Sequence, residues 1–302
     1  MKPRDLTDLL LLAAIWGGSF LFMRVAVPGF GPVALAFVRV AGAALLLLPL
    51  LLLRGEAGVL RQRWRPLLVL GLLNSALPFL CFGYAVYTLP AALAAIFNAA
   101  TPLFTALIAW AWLGDPLNRW RSLGLALGFA GVVGLALVKS VSTGALGQLQ
   151  WDGATGLAII ACLLGTLMYG VSASHAKRHL AGVPAMAMAA GTQLAAALAL
   201  ALPAAATWPA RNPGLRDWLA AAGLAALASG LAYILYFRLI ARVGPTGASS
   251  VTFLVPVFAA LWGFAFLGEG VTLPMALGGA VILAGTALVL GLWPRKPAAA
   301  ST

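Results

Sequence analysis

Arg39 is the residue of this sequence with the most chemistry to account for. It lies about seven residues inside an apolar run spanning 32–53, roughly 10 Å from that run's beginning if the run is helical. A lone arginine in hydrocarbon costs at least ~2.5–3.5 kcal/mol, so it must face protein, water or an anion. Its planar guanidinium can grip a carboxylate through two parallel hydrogen bonds. It can equally cap a neighbouring helix C-terminus or bind backbone carbonyls, and the sequence leaves both roles open.

Other polar and aromatic side chains recur at the i, i+3/i+4, i+7 spacing that shares one helix face. They are Trp16, Ser19, Phe20 and Met23; Asn74, Cys81, Tyr84 and Thr88; Asn98, Thr101 and Thr105; Cys162, Thr166, Tyr169 and Ser172; Ser229, Tyr233 and Tyr236; and Ser249 with Thr252. Gln193 stands alone in its run. Amides and hydroxyls of this kind either orient a solute or bond between helices, the latter worth only ~0.6–2 kcal/mol each. A single Ser or Thr more often bonds its own helix backbone. Trp16 and Tyr169 lie well inside their runs, away from the interfacial belts where such rings concentrate, and this favours a cavity wall. The expected solute-binding set is Arg39, Trp16, Ser19, Asn74, Tyr84, Asn98, Thr101, Tyr169, Gln193, Tyr233 and Thr252. In it Arg39 meets an anionic group, the amides and Thr252 orient polar atoms, and the aromatics form apolar walls.

Catalytic chemistry is missing from the pattern. There is no Walker lysine loop, HExxH pair or nucleophile elbow. His175 and His179 could form half a metal site, but beside Lys177 and Arg178 they read as cations complementing a helix C-terminus. No catalytic residue, metal site or cofactor is expected. All seven acids sit at or beyond the ends of apolar runs. No midplane carboxylate is thus at hand for proton or sodium coupling, which points to facilitated diffusion or exchange.

The elements that must position these residues follow from composition. The chain has 302 residues, 63% hydrophobic and 9% charged, with a mean hydropathy of +1.01. Soluble domains carry about 25% charged residues, so a soluble fold is excluded. The apolar runs are about 20 residues long, which suits membrane helices and not the alternating ~10-residue strands of a barrel. Ten such runs lie near 6–27, 32–53, 66–88, 90–113, 121–139, 153–174, 183–206, 215–237, 245–267 and 271–293. The first is longer than a signal-peptide core and is expected to be retained. The net charge of +12 is unevenly spread. Connections on the side of the termini hold clusters such as Arg61, Arg63 and Arg65, or Arg119 and Arg121. The opposite side holds few, Arg24, Arg211 and Arg216 among them. By the positive-inside rule both termini are cytoplasmic. The basic residues then face lipid headgroups, not nucleic acid.

The two halves of the chain repeat one another. Pro102, Phe104 and Leu113-Gly114-Asp115 reappear as Pro256, Phe258 and Leu267-Gly268-Glu269, at an offset of 154 residues without a gap. More loosely, Trp16-Gly17-Gly18-Ser19 matches Tyr169-Gly170-Val171-Ser172. Each half holds five runs, and an odd number inserts the second copy upside down, the plan of many secondary carriers. The expected fold is an all-α integral membrane protein of ten transmembrane helices, arranged as two inverted five-helix repeats. Residues 1–140 form the first repeat, 141–151 a linker, 152–294 the second repeat and 295–302 a disordered cytoplasmic tail. Pro102 and Pro256 are expected hinges, each removing one helix hydrogen bond. Gly124 and Gly128 form a GxxxG step that reads as packing within the chain rather than as a dimer face. The protein is expected as a monomer or homodimer in the lipid bilayer.

These blocks, with Arg39, resemble the EamA repeats of the drug/metabolite transporter superfamily over nearly the whole chain. The first copy departs from the family pattern in having Asp115 where Glu is usual. The resemblance implies an inner-membrane carrier, most often an exporter of amino acids, other metabolites or toxic organic compounds. The expected function is export of a small metabolite through a central cavity by alternating access. Two other readings are an exporter of drugs or cationic compounds, with Arg39 structural, and a membrane-embedded enzyme or lipid-binding scaffold.

Overall fold

The computed structural model describes residues 3–137, 153–236, 238, 239, 242 and 251–291. The expected linker 141–151, the tail 295–302 and Ser249 lie outside them. Among the described residues every regular element is helical. Eight helices are long and apolar enough to cross a membrane. They are α1 (Pro3–Leu53), α3 (Trp64–Ala85), α4 (Ala91–Leu113), α5 (Arg119–Leu137), α6 (Gly153–His179), α7 (Ala185–Ala206), α8 (Leu215–Tyr236) and α10 (Leu273–Leu290). A short helix α2 (Ala57–Gln62) links α1 to α3, and the apolar α9 (Val251–Leu267) has 17 residues.

Helix α1 is broken at Gly31, where φ is 73° and ψ 162°. Two causes coincide. Only glycine adopts positive φ cheaply, and the residue before a proline, here Pro32, is pushed out of the α region. Helix α4 is interrupted at Ala99 and Ala100, just before Pro102 in the first turn of its second segment. Helix α9 continues through Pro256, so the two expected hinges differ in local structure.

Two further irregularities lie in α3 and α8. A π-helical turn occupies Leu72–Ala76 in α3 and another Leu224–Leu231 in α8. The Leu-Gly-acid motifs end α4 and α9 in the same way. Gly114 and Gly268 take left-handed φ of 71° and 67°, as helix C-terminal glycines do. The acid that follows folds its N–H back onto Ala109 O and Gly263 O respectively.

Glycines set the close helix crossings. A Cβ on Gly285 of α10 would lie 2.5 Å from Gly128 N and 2.6 Å from Gly124 O on α5. The GxxxG step is therefore spent on an α5–α10 crossing within the chain. A Cβ on Gly17 would meet Phe258 Cβ at 2.6 Å and Ala259 N at 2.8 Å. One on Gly170 would meet Phe104 C and Thr105 N at 2.9 Å. The first contact joins α1 to α9, the second α6 to α4.

Candidate functional site: a central cavity

The helices enclose a cavity of about 630 Å³, within the usual range for small-molecule sites. Helix α1 contributes Trp16, Ser19, Phe20, Met23 and Arg39; α4 contributes Asn98, Thr101, Pro102 and Thr105; α6 contributes Tyr169 and Ser172. Thr252 lines it from α9. Leu70, Asn74, Phe79 and Phe82 on α3 are spaced by four, five and three residues, and Ala228, Tyr233 and Tyr236 on α8 by five and three. The step of five is the phase change that a π turn makes. The cavity runs from buried Met23 and Arg39 to Asp115, Leu117 and the exposed Arg121.

Arg39 is 6% exposed. Its Nε donates to Ser229 Oγ at 2.9 Å, and Nη1 lies 3.8 Å from Met23 Sδ. The guanidinium carbon stands 3.7 Å from the centre of the Phe79 ring, a cation–π contact. Among the described residues no carboxylate pairs with it and Nη2 has no partner. A charge buried without a counter-ion is costly. An anion entering the cavity would offset that cost.

A polar cluster faces it. Ser172 Oγ donates to Asn74 Oδ1 at 3.2 Å, and Asn74 Nδ2 donates to Tyr233 Oη at 3.1 Å. Asn98 Oδ1 is buried and, among the described residues, accepts no hydrogen bond. Such an orphan costs about 1–3 kcal/mol and is available to a donor on a solute. Aromatic walls complete the site. Tyr169 stacks on Phe82 at 6.1 Å, Phe20 meets Phe82 edge-on at 5.8 Å, and Trp16 lies against Tyr236 at 5.3 Å.

Of the expected site residues, Arg39, Trp16, Ser19, Asn74, Asn98, Thr101, Tyr169, Tyr233 and Thr252 line this one cavity. Tyr84 and Gln193 do not. The π turn rotates everything after Ala76 away from the α-helical projection, leaving Tyr84 40% exposed. Gln193 is fully buried behind the wall, where its Nε2 donates to Ser75 Oγ at 3.2 Å. Tyr84→Ala is accordingly expected to keep solute affinity within about twofold, as exposed substitutions usually do; an affinity titration checks it. Phe79 and Phe82 were not anticipated, though the offset of 154 applied to Tyr233 and Tyr236 leads straight to them.

Among the described residues no cluster of His, Cys, Asp or Glu could hold a metal. His175 Nε2 lies 3.0 Å from Pro66 O, and His179 Nδ1 3.2 Å from His175 O.

The chain is similar to known proteins along nearly its whole length. The profile of the EamA-like transporter family matches residues 8–137 and again 156–291. The inner membrane transporter YedA of Escherichia coli (strain K12) is 31% identical, over 97% of this chain and 93% of its own. A protein of Streptantibioticus cattleyicolor named as a probable terminal-alkyne amino-acid exporter is 27% identical, over 93% of this chain and 91% of its own. A solved crystal structure overlays with a TM-score of 0.66 at 22% identity, covering 97% of this chain and 98% of that one, which shows a shared fold. Two matches that together span most of the sequence make the chain a member of the EamA-like transporter family, a membrane transporter rather than an enzyme.

Proposed function

We propose that the protein is a ten-helix secondary carrier, built as two inverted five-helix repeats, that exports a small carboxylate-bearing metabolite such as an amino acid. Several observations support the count. Helix α1 has 51 residues, about 76 Å at ~1.5 Å per residue, more than twice the ~30 Å hydrocarbon core. Broken at Gly31, it serves as two spans, and α9 is the remaining one. The inversion is supported by paired contacts. Gly17 meets Phe258 and Ala259, while Gly170, 153 residues later, meets Phe104 and Thr105, 154 residues earlier. The first span of each repeat thus packs on the fourth span of the other. The reading of two repeats, 1–140 and 152–294, draws support from a family profile that matches twice, over 8–137 and 156–291. In this reading the termini are cytoplasmic and the membrane is the inner one, as in the name of YedA.

The observation that carries the solute class is Arg39, a buried guanidinium that among the described residues has no carboxylate partner, with the Asn98 acceptor, unpaired among the same residues, lining the same cavity. A carboxylate would take the fork and a donor such as an ammonium group would take Asn98. Trp16, Tyr169 and Tyr233 would cover the apolar remainder. The acceptor of that kind of solute fits the relative named as an amino-acid exporter. Aromatic walls also suit a cationic compound, but the buried positive charge of Arg39 opposes one. Pro102, where α4 is interrupted, and Pro256 would let the fourth spans bend as the cavity switches sides. A thermal-shift screen of purified protein against amino acids, other carboxylates and organic cations tests the assignment. Stabilisation by carboxylates is expected; stabilisation by cations alone would reverse it.

A further inference from the structure

We propose that the ion pairs Arg24–Glu269 and Lys177–Asp115 are the two gate latches of this carrier, related by the repeat and placed at opposite ends of the cavity, both formed in the described state and released one at a time as the carrier switches sides. The proposal rests on the alternating-access reading above and gives the acid of the Leu-Gly-acid motif a task. Asp115 and Glu269 correspond at the offset of 154, and Arg24 and Lys177 at the offset of 153 that relates Trp16 to Tyr169. Each pair therefore ties the first span of one repeat to the end of the fourth span of the other. An inverted repeat places the two ties at opposite faces.

Their states differ. Arg24 Nε lies 3.2 Å from Glu269 Oε1, with the Glu269 side chain only 8% exposed. Glu269 Oε2 accepts the Ala91 N–H at 2.8 Å, at the N-terminus of α4, where a carboxylate is favoured. Arg24 Nη1 donates to Val86 O and to Tyr87 O, the latter at 2.9 Å. One ion pair thus clamps α1 just before its break at Gly31, the α3–α4 connection and the end of α9. At the other end Lys177 Nζ lies 2.7 Å from Asp115 Oδ2, with side chains 62% and 39% exposed. Asp115 lines the cavity, whereas neither Arg24 nor Glu269 does. Exposed pairs of this kind are weakly held, while losing one partner of a buried pair is costly. Symmetric staples would be alike at both ends. One pair holds a buried carboxylate with an arginine 30% exposed, the other is wet with Asp115 on the cavity wall; a carrier whose cavity reaches towards Asp115 requires this difference in burial.

The test uses the full chain in native vesicles, with Cys81 and Cys162 replaced and Thr105→Cys as reporter on the cavity wall. A membrane-impermeant maleimide is applied from either face. The parent is expected to label faster from the Asp115 face. Glu269→Gln is expected to raise labelling from the Glu269 face by about tenfold, and Arg24→Gln to do the same. Asp115→Asn and Lys177→Gln are expected to shift the ratio the opposite way, by less than about fivefold. Arg24→Gln keeps the Glu269–Ala91 bond, so it carries the test if Glu269→Gln fails to fold. Variants that leave the ratio unchanged, or shift it in one direction at both ends, overturn the gates while a parent labelled from both faces still alternates. A parent labelled from one face only, in every condition, removes alternating access itself.

Discussion

Replacing Arg39 with glutamine is expected to weaken binding of the carboxylate solute by about 10- to 150-fold and to abolish its saturable transport. The magnitude is that of a charge-assisted hydrogen-bonded contact, ~1.5–3 kcal/mol. The geometry says why the loss is not diluted. Arg39 has Ser229 on its Nε, Met23 beside Nη1 and Phe79 against its face, so the group is held in one attitude and Nη2, without a partner among the described residues, is left to the solute. Arg39→Lys keeps the charge but loses the two-pronged geometry, and is expected to fall between wild type and Arg39→Gln. Titration by thermal shift and counterflow in proteoliposomes check both. Full transport by both variants would remove Arg39 from the site.

A single methyl group at Gly285 is expected to lower stability by about 1–3 kcal/mol, the usual cost of forced overpacking, visible as several degrees in Tm. The Cβ would press at 2.5–2.6 Å on backbone atoms of Gly124 and Gly128, which cannot rotate aside as a side chain can. Gly134→Ala is the control. It lies on the same helix as Gly124, and its Cβ would meet nothing within 4 Å, so the substitution is expected to be neutral or slightly stabilising, as helical Gly→Ala changes are. Thermal unfolding of the detergent-solubilised protein, followed by size-exclusion fluorescence, measures both. Equal effects at the two glycines would mean that the α5–α10 crossing is looser than described.

Much of this was legible in the residues. The apolar runs located the helices, because hydrogen-bond demand in lipid leaves few alternatives to a helix. The gap between the runs 6–27 and 32–53 is where Gly31 breaks α1. Arg39 stood out because a charge inside an apolar run always needs a reason. The repeat was visible in Pro102 and Pro256 and in the Leu-Gly-acid motifs. What the sequence hid was helix phase. A π turn leaves no compositional mark, so Tyr84 was projected onto the wrong face while Phe79 and Phe82 passed unremarked. Gln193 was placed by polarity alone, and polarity does not distinguish a wall from the layer behind it. The partnership of Arg24 with Glu269 joins residues far apart in the chain, beyond any local pattern. The repeat offset of 154, carried through residue by residue, was the signal in the sequence that reached the missed aromatics.

The decisive measurement is solute protection of Thr105→Cys against a membrane-impermeant maleimide offered to each side of the bilayer. A carrier with one shared, alternately open hollow should be modified from both sides, and a carboxylate solute should slow both reactions together. Modification confined to a single side whatever the solute, or indifferent to every solute that stabilises the protein, would contradict it.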